Sequence, residues 1–212
     1  MLIDYSLYLV ADADYAAGRD LGGLVEAAVD GGVTVVQLRA KSLDKPAVIA
    51  LAAEIAPRLG PKGVPLLVND YPDVAKACGA AGVHLGQEDM PVAFARRLLG
   101  PDATIGVSVN TPEEARRAEM EGADYLGAGP AYATSTKEMA LAVLGPDGVG
   151  RIKRATGLPV VAIGGITAAN ASEMAQAGAD GIAVISAILG APDARRAAEE
   201  LLAAFVGLSL TY

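Results

Sequence analysis

Eight short apolar runs recur through the 212 residues, one per roughly 26 residues, the length of one strand, one helix and two short loops. They lie at 7–10, 33–38, 65–68, 83–85, 104–107, 125–127, 160–163 and 181–185. None alternates between apolar and polar residues, the pattern of parallel strands buried on both faces. The segments between them have helical spacing and start signals. One runs over 20–30. Another opens at Lys45-Pro46 and continues to Leu59, with proline in its first turn. A third opens with Thr111-Pro112-Glu113-Glu114, where Thr111 and Glu114 have the spacing of a capping box. Glycine-containing junctions at 30–33, 78–83, 121–125 and 177–181 precede the second, fourth, sixth and eighth runs, a weak repeat of two βα units. Strict alternation implies right-handed crossovers and a parallel sheet, and eight units predict a closed (β/α)8 TIM barrel. No linker-like shift in composition interrupts the pattern, so the chain is expected to form a single α/β domain over 1–212.

Composition narrows the partners. The formal net charge is -8 and no basic run reaches five residues, which argues against nucleic acid but leaves room for a small anion in a local basic pocket. A single cysteine, Cys78, excludes an internal disulfide and a multi-cysteine zinc site, and suits a reducing compartment. The first 14 residues lack a basic region and carry Asp4 and Asp12, and the apolar stretch at 181–191 falls short of the ~20 residues that span a bilayer. The expectation is a cytoplasmic protein with no membrane partner, compatible with a homo-oligomer.

In such barrels ligands bind where the strands end, so polar residues after each run are the candidates. The second run is followed by Gln37, Arg39 and Lys41, the third by Asn69 and Asp70, and the fourth by Gln87, Glu88 and Asp89. Ser108 and Asn110 follow the fifth, and the long 129–145 segment with Thr134, Ser135, Thr136 and Lys137 follows the sixth. Gly164-Gly165 follows the seventh and Ser186 the eighth. The last two suit a phosphate, with glycine N–H groups and a short helix opening at Ile185-Ser186; a tight turn and a simple cap are the alternative. Arg39 and Lys41, two apart, suit a second anion such as pyrophosphate, or form a solvated rim pair. Asp70 and Asp89 suit Mg²⁺, which binds one or two carboxylates plus substrate phosphate; alternatively Asp70 caps the helix starting at Tyr71-Pro72. The only histidine, His84, lies inside its run and reads as a hydrogen-bonded core residue rather than a base.

The segments QLRAK (37–41), ND (69–70), VHLGQED (83–89), GVSVNT (106–111), GADYLGAGPAYATSTK (122–137), AIGGI (162–166) and AVISAI (183–188) stand in this order, one after another at run ends. Together they resemble the thiamine-phosphate synthase family over about 7–189. That resemblance implies an enzyme that joins hydroxymethylpyrimidine diphosphate to a thiazole phosphate, or its carboxylated tautomer, releasing pyrophosphate. It implies that Gln37, Arg39, Lys41, Asn69, Ser108 and Lys137 hold the pyrimidine diphosphate, with Arg39, Lys41, Ser108 and Lys137 catalytic. Thr134, Ser135, Thr136, Gly165, Ile185 and Ser186 would hold the thiazole phosphate, and Asp70 and Asp89 the Mg²⁺. Ala40 stands where the family usually has an acidic residue. The competing readings are the thiazole tautomerase branch, expected to lose the diphosphate and metal half, and a non-catalytic thiazole-phosphate-binding barrel. A phosphosugar isomerase would need a Glu or His base at a strand end.

Overall fold

The computed structural model describes residues 3–134 and 142–207. Its strands are β1 (Leu7–Asp12), β2 (Val35–Arg39), β3 (Leu66–Asn69), β4 (Gly82–Leu85), β5 (Thr104–Val109), β6 (Tyr125–Ala128), β7 (Val160–Ile163) and β8 (Gly181–Val184). They pair in chain order, all parallel, and β8 returns to β1 through Leu7↔Ile182 and Leu9↔Val184 to close the barrel. The helices are α1 (Leu21–Asp30), α2 (Lys45–Leu59), α3 (Pro72–Cys78), α4 (Val92–Leu99), α5 (Pro112–Met120), α6 (Gly145–Arg154), α7 (Ala171–Gln176), a short α8 (Ser186–Leu189) and α9 (Ala194–Val206). Among the described residues no helix is long and apolar enough to cross a membrane.

Aspartates cap three of the helices: Asp20, Asp44 and Asp193 accept the N–H groups of Gly23, Ala47 and Arg196, each at the third residue of its helix. Thr111 and Glu114 form the capping box of α5. One expected cap is absent: Tyr71, not Asp70, precedes α3, and no side chain caps that helix. Asp70 instead adopts φ 63°, a left-handed backbone that carboxylate and amide side chains tolerate better than most.

Period-two alternation divides the barrel into two layers. Leu7, Leu9, Val36, Leu38, Val68, Val83, Ile105, Val107, Leu126, Ala162, Ile182 and Val184 face outward into the helices. Tyr5, Tyr8, Val10, Val35, Leu67, Tyr125, Val161 and Ala183 face inward and plug the barrel. The strands also run further than their apolar runs suggest. β1 reaches Asp12, β2 Arg39, β3 Asn69 and β5 Val109, so several residues expected to follow the strands are their last inward positions. Two glycines on the inner layer make room for rings. A Cβ on Gly106 would lie within the Tyr125 ring, and one on Gly127 would stand 2.9 Å from His84 Cε1. Tyr125 is fully buried and cannot yield. Gly106→Ala should therefore cost about 1–3 kcal/mol through overpacking, seen as a lower urea midpoint at unchanged slope.

Candidate functional site at the carboxyl rim of the barrel

Inward parity gathers the polar strand ends at one rim. Gln37 and Arg39 continue the inward series from Val35, Asn69 follows Leu67, and Ser108 follows Gly106. The parallel register sets Asp12 beside Arg39, Asn69 beside His84 and Ser108 beside Gly127.

Asp12 organises the β1–β2 side. It is 2% exposed, its carboxylate pairs with the Arg39 guanidinium, and its Oδ1 accepts the N–H groups of Asp14 and Tyr15, each at 3.0 Å. Asp14 in turn accepts the Lys41 N–H at 2.9 Å and the Ser42 hydroxyl; these bonds, the Ser42 one foremost, hold its carboxyl below the usual range. The segment after β2 is thus tied to the segment after β1. Neither Asp12 nor Asp14 was among the expected site residues, because only runs two to eight contributed candidates. The same strand-end rule applied to the first run finds both.

Lys41 does not share a partner with Arg39: its ammonium pairs with Asp70. The Asp70 N–H donates to the His84 carbonyl at 2.9 Å, which fixes the residue between β3 and β4. Asp89 accepts the Gly86 N–H at 2.6 Å and faces Asp70. Burial first, then the hydrogen bond and negative charge of Asp70, push its carboxyl above the usual value. Two carboxylates forced together in this way suit a divalent cation held by few protein ligands. Among the described residues no group of three or more metal-type ligands occurs, so any such ion would complete its shell with water or substrate oxygen.

Gln37 supplies the clearest unfilled valence. It is 4% exposed, and its Nε2 is the buried side-chain polar atom left without a partner among the described residues. An amide donor buried without an acceptor is costly, so its place on the inner wall points to a ligand acceptor.

Ser108 is tied downward into the barrel. Its Oγ lies 2.9 Å from His84 Nε2, His84 Nδ1 lies 2.8 Å from the Tyr125 hydroxyl, and that hydroxyl lies 2.8 Å from the Tyr8 hydroxyl. Burial raises the pKa of both tyrosines, so the phenols stay protonated. His84 is the hydrogen-bonded interior residue expected, but it reaches a site residue directly. The two tyrosines had no polar signal of their own, being embedded in apolar runs. Gln87 supports the same place from outside, donating to the Ser108 carbonyl at 2.6 Å and accepting from Arg117.

The loop between β6 and α6 is stapled at its base. Ala131 and Tyr132 donate to the carbonyls of Ile163 and Gly164, and Leu144 and Gly145 donate to those of Pro130 and Ala131. Asn110 Nδ2 bridges the two arms, reaching the carbonyls of Gly129 at 2.9 Å and Ala142 at 3.3 Å. Tyr132 donates to Glu173 at 2.6 Å, and burial with that carboxylate pushes its phenol up to about 12. Thr134, half-buried, extends from this base; Ser135, Thr136 and Lys137 lie outside the described residues. Gly164 and Gly165 take φ 104° and 65°, and a Cβ on either would strike the 130–133 segment. Asn170 Nδ2 donates to the Gly165 carbonyl at 3.1 Å and shapes this turn. After β8, Ile185 precedes α8 and Ser186 is its exposed first residue.

The thiamine monophosphate synthase family matches residues 7–188. A protein of Chloroflexus aurantiacus named thiamine-phosphate synthase is 49% identical over 202 residues, 95% of this chain and 93% of that relative. Its counterpart from Albidiferax ferrireducens is 52% identical over 187 residues, covering 88% and 85% of the two chains. The solved structure of thiamine phosphate pyrophosphorylase from Pyrococcus furiosus superposes with TM-score 0.87 at 38% identity over 96% of each chain.

Asp12 makes the rim testable without substrate. Asp12→Ala removes one partner of a largely buried ion pair and two backbone acceptor bonds, and should cost on the order of 3 kcal/mol. Denaturant unfolding measures it, and Asp12→Asn should lose less because its amide oxygen still accepts both N–H groups.

Proposed function

The chain belongs to the thiamine monophosphate synthase family, and from that premise we propose how its rim residues divide the work of this transferase. Gln37, Arg39, Lys41, Asn69, Ser108 and Lys137 hold the pyrimidine diphosphate. Thr134, Ser135, Thr136, Gly165, Ile185 and Ser186 hold the thiazole phosphate. Asp70 and Asp89 hold Mg²⁺, which when bound supplies positive charge to the departing diphosphate. The observation that carries the reading is the buried, unpartnered Gln37 Nε2 beside two charged neighbours, a wall that lacks only its acceptor. Gln37, Arg39, Lys41, Asn69, Asp70 and Asp89 together make up the diphosphate and metal half that a thiazole tautomerase would not need.

The bond that breaks joins the pyrimidine methylene carbon to the diphosphate oxygen, whose electrons leave with pyrophosphate. The electron-rich pyrimidine stabilises the carbocation that remains, and the thiazole nitrogen lone pair captures it. No proton moves at the nitrogen, so the step requires no general base. Arg39 and Lys41, with Lys137, neutralise the charge that grows on the leaving group. The loop anchored by Asn110 and the Gly164-Gly165 turn hold the thiazole in line for capture. The single cysteine and the small phosphorylated substrates support a cytoplasmic location within the same proposal.

Purified protein mixed with both substrates should release equal amounts of pyrophosphate and thiamine phosphate, and only with Mg²⁺ present. Asp70→Ala and Asp89→Ala should each slow turnover by a factor on the order of 10² to 10³, the loss typical of a deleted electrostatic stabiliser. Undiminished turnover in both variants would overturn the metal assignment.

A further inference from the structure

The chain Tyr8, Tyr125, His84, Ser108 has a polarity that can be counted. Below His84 it contains two hydrogen-bonded links, Tyr8 to Tyr125 and Tyr125 to Nδ1, each spanning 2.8 Å. Two phenols supply two hydrogens. If Nδ1 also carried a hydrogen, three would compete for two links, and one would be left without an acceptor in a fully buried place. Tyr8 is 3% exposed and Tyr125 fully buried, and among the described residues Tyr125 is the only side-chain partner of the Tyr8 hydroxyl. The count closes in one way: Tyr8 donates to Tyr125, Tyr125 donates to Nδ1, and the imidazole proton sits on Nε2. That nitrogen then donates to Ser108 Oγ across 2.9 Å. With its oxygen already accepting from below, Ser108 keeps its own hydrogen to donate elsewhere.

We infer that Tyr125, with Tyr8 behind it, is a positioning residue that fixes His84 as the Nε2–H tautomer and so makes Ser108 a hydrogen-bond donor to the pyrimidine substrate. The last clause rests on the substrate assignment proposed above; the tautomer does not. The arrangement is built for the purpose. Gly106 leaves the space that the Tyr125 ring fills, and Gly127 leaves the space for the imidazole. The Tyr5 ring packs against the Tyr125 ring, with centroids 4.7 Å apart. The imidazole therefore has a fixed place, and which ring nitrogen is protonated decides what Ser108 offers.

His84 is the only histidine, so ¹⁵N-histidine labelling gives one imidazole to observe. Nitrogen NMR of the ligand-free protein should show the proton on Nε2 and none on Nδ1; a proton on Nδ1 overturns the inference whatever the enzyme's activity. Tyr125→Phe keeps the ring but removes the link, and should lower kcat/KM for the pyrimidine diphosphate on the order of tenfold, as loss of an outer supporting bond does. In a Ser108→Ala background the same substitution should cost less than about twofold, because the hydroxyl it orients is gone. An equal cost in both backgrounds would show that Tyr125 acts through stability alone and overturn its positioning role. Failure to make thiamine phosphate with the Nε2–H tautomer intact would instead overturn the proposed function.

Discussion

The pairing of β8 with β1 is the constraint from which the rest follows. Once the eight strands close, their backbone groups are satisfied and their side chains have only two directions, into the helices or into the barrel. Inward positions from separate parts of the chain then converge on one axis. Closure also fixes which end carries chemistry: the lower interior is plugged by Tyr5, Tyr8, Val35, Leu67, Tyr125 and Val161, while the next inward residues are Gln37, Asn69, His84 and Ser108. A close-packed, largely apolar plug below a polar rim lowers the local dielectric and strengthens the hydrogen bonds at the boundary, which favours a two-phenol chain orienting a serine there.

Arg39 and Lys41 are both held in ion pairs before any substrate arrives. Arg39 is clamped by buried Asp12 and Lys41 by Asp70. Each pairing lowers the free positive charge, a real cost for anion binding. In return the guanidinium is fixed along β2, and less side-chain entropy remains to be lost when a diphosphate binds. Asp12 serves structure and site together, since its second oxygen also caps the turn that places Asp14 against Lys41 and Ser42.

The architecture was legible because it repeats. Each run gave a strand and each glycine junction a strand entry. Of the start signals, Lys45-Pro46 opens its helix and the Thr111–Glu114 box caps one as its spacing implied. Strand ends were less legible. A run apolar on both faces carries no parity, so nothing marked Arg39, Asn69 and Ser108 as the last inward residues of their strands. Asp70 has the composition of a helix cap but is used otherwise, because its left-handed backbone turns the carboxylate toward Lys41 and Asp89. Tyr8 and Tyr125 were hidden for a different reason. Their rings satisfy the apolar pattern, and only the fold shows that their hydroxyls meet, 117 residues apart in sequence.

The net charge of -8 and an anionic substrate are reconciled by range. At physiological salt, exposed charges are screened beyond about 8 Å, so most of the acidic surface is felt weakly at the rim. Nearby charges decide, and among the described residues those at the β2–β4 ends alternate: Asp12 with Arg39, Asp70 with Lys41, and Asp89 facing Asp70. The local balance is therefore set by what occupies the two apposed carboxylates. Left alone, Asp70 and Asp89 repel each other and any diphosphate; a divalent cation held by these residues, as proposed, would supply the charge that relieves both repulsions. Under the proposed assignment, the same pair that makes the bare rim unfavourable for a diphosphate would favour one delivered with a metal.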